Sequence, residues 1–351
     1  MDDLVRDMWK EYDLGKLSKQ LEEMLPVREF RIEEVLNEII TGDIFGALRL
    51  IWDGTIGDLE NQFAGVRDLF ATILLMGIFA ALVSHFIEVF DNHQIADMSF
   101  YFTYLLMNTV LIRCFHEMSM VGQDAIENIL SFVRIFIPTY LVTVGVAVGP
   151  SSAYANYSIL IVLILLVQNV IAQIAMPLVY GYVFVSMLGG IWWDEKLNLL
   201  TSLLEKSVGL LLKLILGLTS GISLIQSMIT PVIDSVKNTG LQKAVSAIPG
   251  IGNAAEGVVE IVLGSAVVVK NSLGILGMLI LVGVCLIPLI RIFIIACVIK
   301  ISASLLGMIC DKRIATLMDR VGSGGLMVLK ATGTGMLLFV IAISAAAFAV
   351  R

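Results

Sequence analysis

Charged residues are scarce in this chain, and so are the side chains that usually hold metals or form disulfides. Only 15% of its 351 residues are Asp, Glu, Lys or Arg, whereas 58% are hydrophobic. The chain has four cysteines, none of them in a CxxC pair, and three histidines. Ordinary globular domains are about a quarter charged. The composition therefore excludes a typical soluble domain and predicts a membrane protein without a metal or disulfide site.

Motifs of catalysis and nucleic-acid binding are missing as well. There is no HExxH, no GxSxG and no GxGD, and the segment GIGNAAEG at residues 250–257 lacks the spacing of a dinucleotide fingerprint. No GxxxxGKS/T phosphate loop exists, so nucleotide hydrolysis would need another subunit. The net charge is −7 without a basic tail, which argues against a nucleic-acid partner. We therefore predict a protein that is not an enzyme and has no catalytic, metal or cofactor site.

Long apolar runs dominate the chain from residue 67 onward. A run of roughly 20 residues can cross about 30 Å of hydrocarbon. Six runs reach that length: Leu69–Phe90, Met98–Met118, Ser158–Gly190, Val208–Ile229, Leu273–Ile309 and Leu326–Val350. Residues 1–66 instead contain short amphipathic patterns separated by helix stop signals. The sequence predicts an all-α, polytopic membrane protein with an N-terminal amphipathic helical region at 1–66 and a transmembrane domain at 67–351.

Two weaker apolar segments, 129–148 and 255–269, either cross the membrane or re-enter it. The first contains Pro138, and the second follows Pro249. A glycine-rich stretch such as AIPGIGNAAEG cannot satisfy its backbone polar groups while it faces lipid, which favours two re-entrant segments. The protein then has six spans in parallel repeats, whereas two crossing segments would give eight spans in inverted repeats.

Similar features recur at a nearly constant spacing, which indicates a tandem repeat. Two proline pairs are 111 residues apart (249 − 138 and 288 − 177) and two charged pairs are 117 apart (311 − 194 and 330 − 213): Pro138 and Pro249, Pro177 and Pro288, Asp194 and Asp311, Lys213 and Lys330. The predicted repeat units are 98–207 and 208–323, followed by a final span at 326–350. Transport proteins often contain such repeats, with sites at the repeat interface and at broken helices.

Several charged residues lie inside the apolar runs, where each costs roughly 2.5–3.5 kcal/mol at mid-bilayer. Some lie near helix ends and are expected to snorkel: Arg113, Glu88 and Lys300. Others lie deeper: Lys213, Arg291 and Lys330. Their expected partners are Glu256 and Glu260, which share a helix face because they are four residues apart. We predict a polar path or pairing role, with ordinary ion pairing for stability as the alternative, for this set: Glu256, Glu260, Arg291, Lys213, Lys330, Arg134, Pro138 and Pro249.

Small residues are expected where membrane helices approach each other closely. They occur at Gly264 and Ser265, at Gly274 and Gly277, and in the run of residues 322–325. We therefore predict tight helix packing at these positions.

The stretch SGISLIQSMITPVIDSVKNTGLQKAVSAIPGIGNAAEGVVEIVLGSAVVVKNSLGILG, residues 220–277, resembles the signature region of the stage III sporulation protein AE family. The resemblance extends upstream to FIPTYLVTVGVAVGPSSA and downstream to IPLIRIFIIACVIK, and it covers the chain from about residue 30 onward. It implies a membrane subunit of the channel, or feeding-tube, complex that links the mother cell and the forespore and that forespore development requires.

The same resemblance implies a setting and partners. The chain is expected in the mother-cell membrane around the forespore, with other membrane and ring-forming subunits and an ATPase, in an oligomeric assembly. A non-conducting membrane scaffold that assembles these subunits is the alternative to a subunit that lines a transport path. The orientation of the chain in the membrane stays open. Family members usually begin with a signal peptide, which MDDLVRDMWK is not, whereas a weak excess of Lys and Arg places the N-terminal region in the cytoplasm.

Overall fold

The computed structural model describes residues 32–88, 93–148, 162–191, 195–246 and 252–348. These residues are almost entirely helical, and no strand occurs among them. The helices are α1 (Ile32–Thr41), α2 (Ile44–Glu88), α3 (His93–Val148), α4 (162–189), α5 (Glu195–Ser246), α6 (Gly252–Leu306) and α7 (Lys312–Phe348). Helix α4 contains a π-helical turn at Ile171–Ala175. The all-α prediction is confirmed.

The turn between α1 and α2 is built by a glycine and a capping aspartate. Gly42 has a φ of 87°, a left-handed conformation that glycine adopts without steric cost. The Oδ1 atom of Asp43 accepts a hydrogen bond from the Gly46 N–H at 2.8 Å, which satisfies a free donor in the first turn of α2. Helix α2 then continues to Glu88 without a break. The proposed domain boundary at residue 66 therefore falls inside one helix and stays a prediction.

Five helical segments in the described part of the chain are long and apolar enough to cross a membrane: Gly65–Val83, Asp97–Val144, Val162–Gly189, Lys270–Leu306 and Lys312–Ser344. They overlap five of the six predicted runs, so the polytopic membrane class is confirmed. The sixth run, Val208–Ile229, lies in α5 and extends into residues whose side chains are outside the described part. Its crossing stays a prediction.

The two segments that were predicted to re-enter the membrane lie within the long helices α3 and α6. Helix α3 has 56 residues and runs without interruption through 129–148, with Pro138 inside it. Helix α6 has 55 residues and contains 255–269 together with the following span. At 1.5 Å per residue each helix is about 80 Å long, far longer than the hydrocarbon layer. Neither segment turns back within its helix, so re-entrance is not confirmed; Pro249 lies outside the described residues.

The predicted repeat finds a partial counterpart in two helical hairpins. Helices α4 and α6 end at residues 189 and 306, and helices α5 and α7 begin at residues 195 and 312; both separations are 117 residues (306 − 189 and 312 − 195). The prolines differ in setting. Pro177 begins an α-helical segment after the π-helical turn, whereas Pro288 lies inside continuous α6. The repeat is not confirmed and stays a prediction.

Helices α3, α6 and α7 pack against one another and form the centre of the bundle. Helix α2 lies against α3 and α6, and the hairpin of α4 and α5 lies against α7. The Sγ atom of Cys310, in the turn between α6 and α7, donates a hydrogen bond to the Gly77 carbonyl of α2 at 3.1 Å. Burial raises the pKa of this thiol. Helix α4 also contacts α3 through side-chain hydrogen bonds.

Candidate functional site: a charged face at mid-depth

Contacts between α3 and α4 set the depth of α3 relative to an apolar span. Tyr104 donates a hydrogen bond from its hydroxyl to the Met187 carbonyl at 2.8 Å. About five turns further along α3, the Gln123 Nε2 atom donates to the Tyr180 hydroxyl at 2.9 Å, and Ser119 is hydrogen-bonded to the same hydroxyl. The two helices are therefore antiparallel neighbours. Residues of α3 from Tyr104 onward lie at the depth of the membrane-spanning part of α4.

A small cavity of about 30 Å³ extends this alignment toward the other end of α4. It is lined by Ile126 and Ile129 of α3 and by Leu163 and Ile164 of α4, among other residues. Leu163 lies next to the first residue of the span Val162–Gly189. The part of α3 from residue 104 to residue 129 thus matches almost the whole length of an apolar helix that suits the bilayer.

From Arg113, near the middle of this matched length, to Arg134, just beyond its end, the outer face of α3 is largely polar. Its exposed charged or polar side chains are one, three or seven residues apart, which keeps them on one side of the helix together with the exposed apolar Met120: Arg113, His116, Gln123, Asp124, Glu127 and Arg134. We call these six residues the α3 polar stripe. It spans about 32 Å of helix. One turn beyond its end, Pro138 is exposed on the same face.

A close ion pair lies beside the stripe. The Nη2 atom of Arg291 in α6 is 2.6 Å from the Oε1 atom of Glu117 in α3, and the two side chains are 38% and 41% exposed. Such a contact is a charge-assisted hydrogen bond. The predicted partners of Arg291, Glu256 and Glu260, are wrong for this residue. They lie on α6 itself, at least 31 residues away (291 − 260), which is about 46 Å along one rigid helix.

The other predicted site residues fall at similar depths but on separate helices. Arg134 belongs to the stripe. Lys330 is exposed on α7, close to Thr332, which approaches Gly122 of α3. Lys213 is exposed on α5. Leu204 of α5 lies near Gly181 of α4, so Lys213, nine residues further along, is also level with the apolar part of α4. The structure brings these cations to one range of depth without gathering them around Arg291. The side chains of Glu256 and Glu260 lie outside the described part.

A second polar cluster lies near the end of the bundle where α6 and α4 finish. The Lys300 Nζ atom is 2.6 Å from Asp319 Oδ1 and 2.9 Å from Ser323 Oγ. The neighbouring Arg320 Nη2 atom donates to the Asn198 side-chain oxygen at 2.6 Å. The sequence predicted that Lys300 snorkels near a helix end, whereas the structure pairs it across the α6–α7 hairpin. The partner was missed because it is contributed by the next helix.

Glycines let α3 approach α7 closely behind the stripe. A Cβ atom on Gly122 would lie 2.6 Å from Val328 Cγ1 and 3.1 Å from Thr332 Oγ1. Gly324 and Gly325 of α7 are in similarly close contact with Val183 and Met118. The tight packing predicted for residues 322–325 is confirmed. This packing presses the apolar side of α3 onto α7 and leaves the charged side facing outward.

The fold defines a class of protein: a polytopic helical membrane protein, here with a charged and polar face on α3. The family model for stage III sporulation protein AE matches residues 30–349, and the chain belongs to that family. It is 22% identical over 314 residues to the stage III sporulation protein AE of Bacillus subtilis (strain 168), which covers 88% of this chain and 78% of the relative. No solved structure matches the chain.

Proposed function

We propose that this chain is a membrane subunit of the channel complex that links the mother cell and the forespore, and that its α3 polar stripe lines a transport path. The family supports a sporulation role in a membrane. The observation that supports a path is the depth of the stripe, which α3 shares with the apolar helix α4.

The energetic cost of the alternative placement supports water at the stripe. Four of its residues carry full charges: Arg113, Asp124, Glu127 and Arg134. If they faced lipid, each would cost up to roughly 2.5–3.5 kcal/mol at the centre of the bilayer and less toward its edge, where Arg134 lies. Together they would cost on the order of several kcal/mol, a large fraction of the net stability of an ordinary folded protein. A face of this kind must therefore meet water or another protein.

A non-conducting scaffold is the second candidate. The outward faces of α2 and α4 favour it, because they carry large exposed apolar side chains that suit lipid or neighbouring helices, among them Leu75, Ile78, Phe79, Val162 and Phe184. The sequence predicted close helix packing at Gly277, which could have served contacts between subunits of a scaffold. The structure gives the scaffold little support at this position. Gly277 packs on Phe136 of the same chain, so its small size already serves the fold of one molecule.

The two candidates are separated by water access at the stripe and by the effect of blocking it. A cysteine-free chain that still supports forespore development would receive a single cysteine, either Asp124→Cys in the stripe or Leu105→Cys on the apolar part of α3. A charged, membrane-impermeant thiol reagent should label the first and spare the second. Labelling of Asp124→Cys should also arrest forespore development, because the adduct obstructs the path.

The outcomes have distinct meanings. If Asp124→Cys resists the reagent as Leu105→Cys does, the stripe is not hydrated and the path is wrong. If Asp124→Cys is labelled and forespores develop normally, the stripe is hydrated but is not part of a transport path, and the scaffold is the better explanation.

A further inference from the structure

A groove of about 670 Å³ lies between helices α4 and α5. Its volume is in the range of roughly 300–1,000 Å³ that is typical of binding sites for small organic molecules. Six of the residues that line it are apolar, and the other three are Ser202, Lys206 and Ser207. Its described lining residues include no carboxylate and no member of the α3 polar stripe, so the groove carries a positive charge and is a separate feature of the molecule.

The groove lies within the apolar part of the α4–α5 hairpin. Leu204 of α5 is 3.9 Å from the place of a Cβ atom on Gly181 of α4, which puts Lys206 about 15 Å along α4 from the end of the span Val162–Gly189. This span is about 42 Å long, so it exceeds about 30 Å of hydrocarbon and its ends extend toward the headgroup layers. An exposed lysine below such a layer indicates an anionic partner.

Polar and apolar side chains are separated along the groove. The three polar residues lie nearer the start of α5, and the far end is lined by apolar side chains alone: Ile174, Leu210 and Leu211. Helical side chains lean toward the N-terminus of their helix, so Lys206 leans toward Ser202, which is one turn nearer the start of α5 on the same face. The groove therefore offers an ammonium group and hydroxyls nearer the membrane surface and hydrocarbon walls further in.

The surroundings of Lys206 suit a lipid rather than a water-soluble anion. Leu203 and Leu210, which line the groove on either side of the lysine, are 60% and 61% exposed, as expected of a face that meets lipid. Helix α4 is irregular where it borders the groove, because Ile174 belongs to the π-helical turn Ile171–Ala175. Turns of this kind are frequent at functional sites.

We infer that the α4–α5 groove binds one anionic phospholipid. Lys206 and Ser202 bind its phosphate group, and one acyl chain lies along Ile174, Leu210 and Leu211. Basic pockets between membrane helices bind anionic headgroups in the same way. The inference is independent of the proposed transport path, since it uses no residue of the α3 polar stripe and applies equally to a scaffold.

The test is thermal unfolding of the full chain in detergent, titrated with phosphatidylglycerol or with phosphatidylcholine. A ligand that binds only the folded protein raises the midpoint of unfolding, and phosphatidylglycerol should raise it at lower concentration than phosphatidylcholine. Lys206→Gln should weaken the apparent affinity for phosphatidylglycerol at least about tenfold, because a charge-assisted hydrogen bond is lost. The matched control is Lys213→Gln, an exposed lysine of α5 that does not line the groove, and it should bind as the unmodified chain does.

A second variant and a second probe separate the groove from general positive charge. Leu210→Trp keeps the lysine but fills the groove, so it should also weaken the binding of phosphatidylglycerol. In the unmodified chain, a photoreactive phosphatidylglycerol should attach to peptides that contain Ile174 or Leu210.

Several results would overturn the site. They are unchanged affinity in Lys206→Gln or in Leu210→Trp, an equal loss in Lys206→Gln and Lys213→Gln, and attachment of the photoreactive lipid only at other helices. Displacement of the lipid by millimolar inorganic phosphate would overturn a phospholipid as the occupant, because it would show that the apolar walls contribute nothing to binding.

Discussion

The two halves of the outer face of α3 differ sharply although they belong to one helix. Between residues 98 and 112 most exposed side chains are large and apolar, among them Met98, Phe102, Leu105 and Ile112, with Thr109 as a polar exception. Between residues 113 and 134 the same face carries the α3 polar stripe. A uniform lipid surface would select apolar residues in both halves. The change of character therefore indicates that the second half of α3 faces a different solvent from the first.

Insertion of a new charge in each half gives the largest expected effect. Leu105 and Met120 are both apolar and about equally exposed, at 55% and 49%. Leu105→Asp should destabilise the folded, inserted protein by about 3 kcal/mol, because it places a carboxylate in lipid. Met120→Asp should cost well under 1 kcal/mol, since the proposed path places water around the stripe.

Thermal unfolding in lipid discs and the amount of protein recovered from membranes would measure both changes. Equal losses for Leu105→Asp and Met120→Asp would show that the two halves share one environment, and the comparison would fail.

The packing behind the stripe gives the next largest effect. Gly122→Leu should destabilise the protein by roughly 1–3 kcal/mol, because Val328 and Thr332 leave no room for a side chain and overpacked cores must shift. The matched control is Gly217→Leu on α5, where no atom lies within 4 Å of the added Cβ. That change should be neutral or stabilising, since leucine favours helix over glycine by nearly 1 kcal/mol.

The readout is the midpoint of thermal unfolding for each variant relative to the unmodified chain. A Gly122→Leu protein as stable as the Gly217→Leu protein would contradict the close contact of α3 and α7, and with it the reason why the charged side of α3 faces outward.

The smallest expected effects come from the two ion pairs. Double-mutant cycles with Glu117→Gln and Arg291→Gln should give a coupling of about 1 kcal/mol, the upper end for partly exposed pairs. The cycle with Lys300→Met and Asp319→Asn should give about 0.3 kcal/mol, because Asp319 is 57% exposed near the end of the bundle and water screens it more. The free energy of unfolding of each single and double variant supplies both numbers. A stronger coupling between Lys300 and Asp319 than between Arg291 and Glu117 would contradict the assignment of Glu117 to mid-depth.

Much of the fold followed from the sequence because the signals were local. Apolar runs of membrane length located the five spans, and the stop signal at Gly42 marked the end of α1. The glycines at 322–325 marked close packing. The predicted re-entrant segment around Pro138 is not confirmed, because the surrounding apolar sequence continues the helix through this proline.

Only part of the candidate site could be predicted from the sequence. Arg291 and Arg134 could be selected as charged residues in apolar surroundings, but Glu117 was passed over because it ended a predicted span. Its role depends on α6 lying antiparallel beside α3, a contact between residues 174 positions apart (291 − 117). The members of the α3 polar stripe share one side of a helix, and this signal would have revealed the stripe had the predicted helix been continued past residue 118.

Composition and the lengths of apolar runs determined by themselves that this chain is a helical membrane protein, because the cost of leaving backbone groups unpaired in lipid allows few other folds. Likeness of sequence determined its family. Only the tertiary structure decided which side of α3 turns outward and which carboxylate meets Arg291, because both depend on how distant helices pack around glycines. Packing of that kind is settled by the fit of whole surfaces.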